Sequence, residues 1–123
     1  MNAIKTISSL PKRLIKKTLT ASILAAAIFN PTGVYARYVT ATVYHPDYNG
    51  GPNYCGGTYR HWGISAAHPW LPCGTRVKVT HRGRSLVVPV RDRCLCSSID
   101  LSAGAASALG IPLDGIGRVH ISY

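Results

Sequence analysis

Beyond residue 36, apolar residues recur at helical spacing only once, at Leu101, Ala105, Ala108 and Leu109, with Ser102 as N-cap and Gly110 as stop. All other apolar runs there are short and are separated by Gly, Pro and Asn. Residues 37–44 alternate, with Val39, Ala41 and Val43 on one face and Tyr38, Thr40, Thr42 and Tyr44 on the other. A glycine-rich loop is expected over 45–57 and a short strand over 63–68, ending in His68. Residues 76–80 and 85–90 read as a hairpin closed by His81-Arg82-Gly83-Arg84, with Pro89 marking an edge or a bulge. A last strand over 117–123 turns Val119 and Ile121 inward. Short strands at this spacing with one small helix predict an all-β fold of small α content, a β-barrel in a single domain.

Residues 1–36 stand apart. Lys5, Lys12, Arg13, Lys16 and Lys17 precede the apolar stretch 19–29, and Val34-Tyr35-Ala36 fits a small-x-small cleavage site. The stretch is about half of the roughly 20 apolar residues that a membrane span requires. The expectation is a secretory signal over 1–36 and a domain over 37–123, periplasmic or secreted, with no stable membrane anchor after cleavage. No cysteine precedes Cys55, so no lipid-anchor site is indicated. Five of the 14 Lys and Arg lie in the leader, so the remainder is only moderately basic against four Asp. That balance favours an anionic partner such as a wall polymer or a membrane surface. Nucleic acid is not expected, because no basic cluster is interleaved with aromatics.

A domain this short buries a modest core and gains from covalent staples. Cys55, Cys73, Cys94 and Cys96 all follow the leader, so two disulfides are expected in an oxidising compartment, with three connectivities open. A zinc site is disfavoured by the spacings: Cys94-x-Cys96 is too tight, and no His pair has the usual separation. No metal or other cofactor is expected, and the chain is taken as a monomer. Carboxylates are scarce, namely Asp47, Asp92, Asp100 and Asp114, with no Glu anywhere. Two of the four bracket the stretch Arg93-Cys94-Leu95-Cys96-Ser97-Ser98-Ile99, which makes that loop the first place to seek acid/base chemistry.

Five pieces, in order, resemble one known family. They are Ala41-Thr42-Val43-Tyr44; Ser65-Ala66-Ala67-His68; Leu71-Pro72-Cys73-Gly74-Thr75-Arg76-Val77-Lys78-Val79-Thr80; Val90-Arg91-Asp92-Arg93; and Ile99-Asp100-Leu101-Ser102 with Ala105-Ala106 and Leu109-Gly110. The chain resembles the rare-lipoprotein-A (RlpA) type of double-psi β-barrel, whose relatives include barwin-like proteins and expansins. The resemblance implies a six-stranded double-psi β-barrel with one short helix. It also implies lytic transglycosylase activity on peptidoglycan strands stripped of peptide, with 1,6-anhydro products. A non-catalytic, expansin- or barwin-like wall-polysaccharide-binding module is the alternative. The likeness to barwin implies a Cys55–Cys73 bridge and leaves Cys94 and Cys96 to pair with each other or in a crossed pattern. Two departures stand out: the family's usual Glu, which falls near Gly56, Gly57 or Thr58, is absent, and Arg93-Cys94-Leu95-Cys96 replaces the Arg-Gly-Pro that usually follows the aspartate.

On this resemblance Asp92 is the catalytic acid/base, with Asp100 and His68 as its partners. Each also has a bland reading: Asp92 as a strut paired with Arg91 or Arg93, Asp100 as a tie to the helix start, and His68 as a structural residue fixed before Pro69. Thr42 and Tyr44 are candidates for sugar hydroxyls, and Tyr59 and Trp62 for stacking on sugar faces.

Overall fold

The computed structural model describes residues 34–123, so the predicted leader core lies outside the described residues. Six strands and one helix follow: β1 (Ala36–Val43), β2 (Ala66–Ala67), β3 (Arg76–His81), β4 (Arg84–Asp92), β5 (Ile99–Leu101), α1 (Ala103–Ala108) and β6 (Gly117–Ser122). They close a barrel in the order β1-β5-β2-β4-β3-β6. Two neighbours are parallel, β1 with β5 and β2 with β4, and the other four contacts are antiparallel. This is the six-stranded double-psi barrel expected above.

Local chemistry explains the elements. The β3–β4 hairpin turns through Arg82 at φ 47° and Gly83 at φ 82°, two successive positive values that match the right-handed twist of the flanking strands. Ser102 caps α1, its hydroxyl accepting from the Ala105 amide at 3.3 Å, and Gly110 at φ 72° ends it. Alternation fills the interior: Val77, Val79, Val88, Val90, Ile99, Val119 and Ile121 are fully buried, and Leu109 and Ile111 close the core from the helix side.

Three expectations are corrected. Leu101, counted in the helical pattern, is the last residue of β5, and its side chain belongs to the barrel core. The strand expected over 63–68 shrinks to Ala66–Ala67, because the Ser65 amide turns to the Ser102 hydroxyl instead of a strand partner. Pro89 marks no edge, since a closed barrel has none, and β4 runs on to Asp92. A bulge does follow it: Ala66 pairs with Val90 but Ala67 with Asp92, leaving Arg91 as the extra residue. At the other end, strand pairing reaches past the predicted cleavage point. Tyr35 and Tyr123 exchange backbone hydrogen bonds at 2.7 and 3.0 Å, and their rings stack.

Candidate functional site

The two-residue strand β2 organises the site. Ala67 is the register partner of Asp100 on one side and of Asp92 on the other, and Asp100 in turn pairs with Thr42 of β1. Thr42, Asp100, Ala67 and Asp92 therefore form one cross-strand row, and residues in such a row share a face. The adjacent row, Val43, Leu101, Ala66 and Val90, faces the core. At the usual strand spacing, the backbones of the two aspartates lie about 10 Å apart. Only the buried methyl group of Ala67 stands between them.

Tyr44 and Tyr59 cover that row. Their rings stack with centroids 4.3 Å apart, and both pack with Ala67. The Tyr44 hydroxyl donates to Asp92 Oδ2 at 2.8 Å, and Asp92 Oδ1 accepts from the amides of Tyr54 at 2.8 Å and Arg93 at 2.9 Å. Asp92 is thus an acceptor in all three bonds. Neither flanking arginine pairs with it: the Arg93 guanidinium donates to the His68 carbonyl at 3.3 Å and lies over the Tyr54 ring, while Arg91 points into a separate cavity beside the glycine-rich loop.

Asp100 is held differently. Its carboxylate accepts from the Thr42 hydroxyl at 3.0 Å. Burial raises its pKa above the ordinary aspartate value, the Thr42 bond opposes that rise, and the negative charge of Asp92 adds to it. Tyr44 is pushed far up by burial first, then by its bond to Asp92 and the charges of both aspartates. Burial also lifts Tyr59 to about 12, against a lowering hydrogen bond from the Ala103 backbone and with a smaller upward push from Asp100.

Asp92 and Asp100 line a cavity of about 390 Å³ together with Tyr44, Tyr48 and the 93–96 segment. A second lobe of about 700 Å³ adjoins it at Tyr44 and is walled by Thr42, Trp62, Leu113, Asp114 and Ile116. Trp62 is 66% exposed there, held by its neighbours: the Ser102 hydroxyl donates to the Gly63 carbonyl at 2.7 Å, and Gly104 lies against the Trp62 and Gly63 backbone. Asp92, Asp100, Thr42, Tyr44 and Trp62 thus share one groove.

Two predicted site residues lie elsewhere. His68 is 1% exposed, and its Nδ1 accepts from the amides of Trp70 at 3.2 Å and Leu71 at 3.1 Å, so its ring stitches the turn after β2 and touches neither aspartate side chain. Its pKa is lowered by burial first, then by the charges of Arg93 and Arg37. Its link to the site is its amide, which donates to the Asp92 carbonyl at 3.1 Å. Tyr59 is 2% exposed and lies behind Tyr44, its hydroxyl hydrogen-bonded to His61 Nδ1 at 3.0 Å. Sequence reasoning missed His61, which lines the Trp62 lobe, and the loop 113–116 that forms its far wall. Asp114 was the available signal, as one of only four carboxylates in the chain.

All four cysteines are bonded, Cys55 to Cys73 and Cys94 to Cys96, which leaves no thiolate for a zinc site. The first bridge ties the glycine-rich loop to the turn before β3. The second lies inside the loop between the aspartates.

A small closed double-psi barrel with two aspartates in a surface groove is the class of protein that fold and site define. A family model described as lytic transglycolase matches residues 39–121, and the chain belongs to that family. An uncharacterised protein of Synechocystis sp. is 47% identical over 85 residues, 68% of this chain and 91% of that protein. Similarity extends to a probable endolytic peptidoglycan transglycosylase RlpA of Synechocystis sp., 44% identical over 66% of this chain, and to the endolytic peptidoglycan transglycosylase RlpA of Pseudomonas aeruginosa, 37% identical over 75%. The matched part is 27% and 28% of those two proteins. Among solved structures, the Streptomyces papain inhibitor matches with a TM-score of 0.61 and 30% identity, over 74% of this chain and 94% of that one.

Proposed function

We propose that this protein is an exported enzyme that cuts peptidoglycan glycan strands by lytic transglycosylation, acting on peptide-poor strands and leaving 1,6-anhydro ends. The observation that carries this reading is the row in which Asp100 and Asp92 flank Ala67 inside one groove, with the Asp100 carboxyl raised by burial. Membership of the lytic transglycolase family supports it. The basic, apolar leader and two disulfides support export to an oxidising compartment.

The chemistry requires one carboxyl that gives a proton and takes one back. Asp100 suits that role better than Asp92, reversing the assignment the resemblance suggests. It is the carboxyl whose protonated form burial favours, whereas Asp92 accepts from three donors. In the first step Asp100 protonates the glycosidic oxygen and the leaving sugar departs. The ionised Asp100 then takes the proton of the C6 hydroxyl as that oxygen bonds to C1 and closes the anhydro ring. No water is consumed and no cofactor enters. Asp92 and Tyr44 face the positive charge that develops at the sugar ring and orient its hydroxyls. Thr42 keeps the Asp100 carboxyl aimed into the groove, Trp62 offers a ring face to a flanking sugar, and His68 acts as a positioning residue through the Asp92 backbone.

The test is to incubate the purified exported form with intact and with peptide-free peptidoglycan and to look for 1,6-anhydro ends by mass spectrometry. Asp100→Asn and Asp92→Asn should each abolish product while the circular dichroism spectrum is retained. A second reading, a wall-binding module that does not cleave, draws on the absence of any Glu in the chain. Sedimentation with the insoluble polymer and no product from either form would establish that reading instead.

A further inference from the structure

Four cavities adjoin in series, and the acidic side chains that line them all lie in the first two. The aspartate lobe meets the Trp62 lobe at Tyr44, and the Trp62 lobe shares Ile116 with a cavity of about 290 Å³. That cavity shares His81, Arg82 and Gly110 with a last one of about 250 Å³. Asp92 and Asp100 line the first lobe beside Arg93, and Asp114 lines the second; the fourth aspartate, Asp47, lines none of the four. The far half carries Arg82, Arg84 and Arg118, and no acidic residue lines it.

None of these arginines is within ion-pair distance of a carboxylate. Arg82 sits at the tip of the β3–β4 hairpin in a fixed left-handed conformation. The Arg84 guanidinium lies against Gly110, where a Cβ would come 3.1 Å from Nη1. Arg118 is 5.5 Å over the Tyr38 ring. His81 Nδ1 is 2.8 Å from the Leu109 carbonyl, which can only accept, so Nδ1 carries a proton and the ring is held against the end of α1. Guanidinium groups without acidic partners, gathered at one end of a groove, match a planar carboxylate.

We infer that the arginine end is a subsite for a carboxylate carried by the same glycan strand, several sugar units from the bond that is cut. Arg84 and Asp92 are the two ends of nine-residue β4, about 25 Å apart along the strand, a span that a polymer crosses and a single sugar does not. The inference rests on the proposed glycan substrate and adds a selection rule to it. Muramic acid bears a lactyl carboxylate that is free when the peptide is gone and becomes an uncharged amide when the peptide is present. The arginine end therefore favours peptide-free strands through a charge that only they carry at that position.

The experiment measures fluorescence anisotropy with labelled peptide-free glycan in two forms, one with free lactyl carboxylates and one with those groups converted to methylamides. The wild type should bind the free-acid form about tenfold more tightly, the effect of a charge-assisted hydrogen-bonded pair. Arg82→Gln/Arg84→Gln should erase that preference with its thermal melt unchanged, while Arg76→Gln/Lys78→Gln, which removes equal charge from the exposed face of β3, should keep it. Equal wild-type affinity for the two forms would overturn the inference, as would an equal loss in the Arg76/Lys78 variant, which would mark the effect as general charge attraction. Binding is read separately from cleavage, so a protein that binds in this pattern without making anhydro ends sinks the proposed activity and leaves the subsite standing.

Discussion

Tyr44 donates its hydroxyl to Asp92 Oδ2 at 2.8 Å, joining the end of β1 to the end of β4 across the groove. Removing only that hydroxyl, as in Tyr44→Phe, should leave the stack on Tyr59 and the fold intact. One hydrogen bond to a charged group contributes about 1.5–3 kcal/mol, so kcat should fall about 10- to 100-fold. Steady-state release of anhydro ends checks this, and an unchanged kcat would remove Tyr44 from the mechanism.

Asp100 should make activity and stability move together with pH. Its folded pKa is raised, so between 3.8 and that higher value the folded state holds more protons than the unfolded one, and stability falls as pH rises through this window. Activity that needs the protonated carboxyl declines over the same upward span. Asp100→Asn removes the buried charge, and its melting temperature at neutral pH should equal or exceed that of the wild type although the variant is inactive. A clear loss of stability at neutral pH would contradict the burial argument.

His68 carries the opposite sign. Its folded pKa is depressed, so its contribution to stability is full above 6.5 and is lost as pH falls from there toward the folded value. Imidazole nitrogen chemical shifts at pH 6.5 should report a neutral ring with the proton on Nε2, because Nδ1 accepts two amides. A ring half-protonated at that pH would show that burial is not controlling it.

The two disulfides should separate stability from activity. Cys55–Cys73 closes a loop with a sequence separation of 18, and its removal by paired Cys→Ala exchange should cost about 3 kcal/mol in denaturant unfolding. Cys94–Cys96 spans a separation of 2 and removes little unfolded-chain freedom. Its loss should barely shift the unfolding midpoint yet lower activity, since the loop it tightens connects Asp92 to Asp100. Comparing both double variants in the two assays tests the separation.

Gly104 is predicted to be intolerant of any side chain. A Cβ there would run into the carbonyl oxygens of Trp62 and Gly63, which are backbone and cannot rotate away. Gly104→Ala should destabilise the domain by about 1–3 kcal/mol and displace the exposed Trp62 ring. Thermal melts and tryptophan fluorescence provide the readouts, and a wild-type melt would show that the helix start moves freely.

The fold was legible because its signals are local. Alternating Val77 and Val79, the His81-Arg82-Gly83-Arg84 turn, the Ser102 cap and the Gly110 stop each act within a few residues of sequence, and each appears where it was expected. Leu101 misled because an apolar residue one position before a helix cap fits both a helix pattern and the end of a strand. The candidate site was only partly legible. Asp92 and Asp100 stood out through scarcity, but the relation of His68, Tyr59 and Trp62 to the groove depends on which side chains the barrel covers.

The sequence by itself determined that residues 37–123 form short strands with one helix, that two of the four acids bracket a cysteine-containing loop, and that basic residues outnumber acidic ones. Periodicity and composition act along the chain, so the chain alone specifies them. Tertiary structure decided what lies across from what. Closure of the barrel inserts Ala67 between β4 and β5, and that register, which joins residues from distant parts of the sequence, sets two aspartates on one face with a methyl group between them. The folded chain also buries His68, covers Tyr59 with Tyr44 and leaves Trp62 exposed, because burial is a property of packed layers and has no local code.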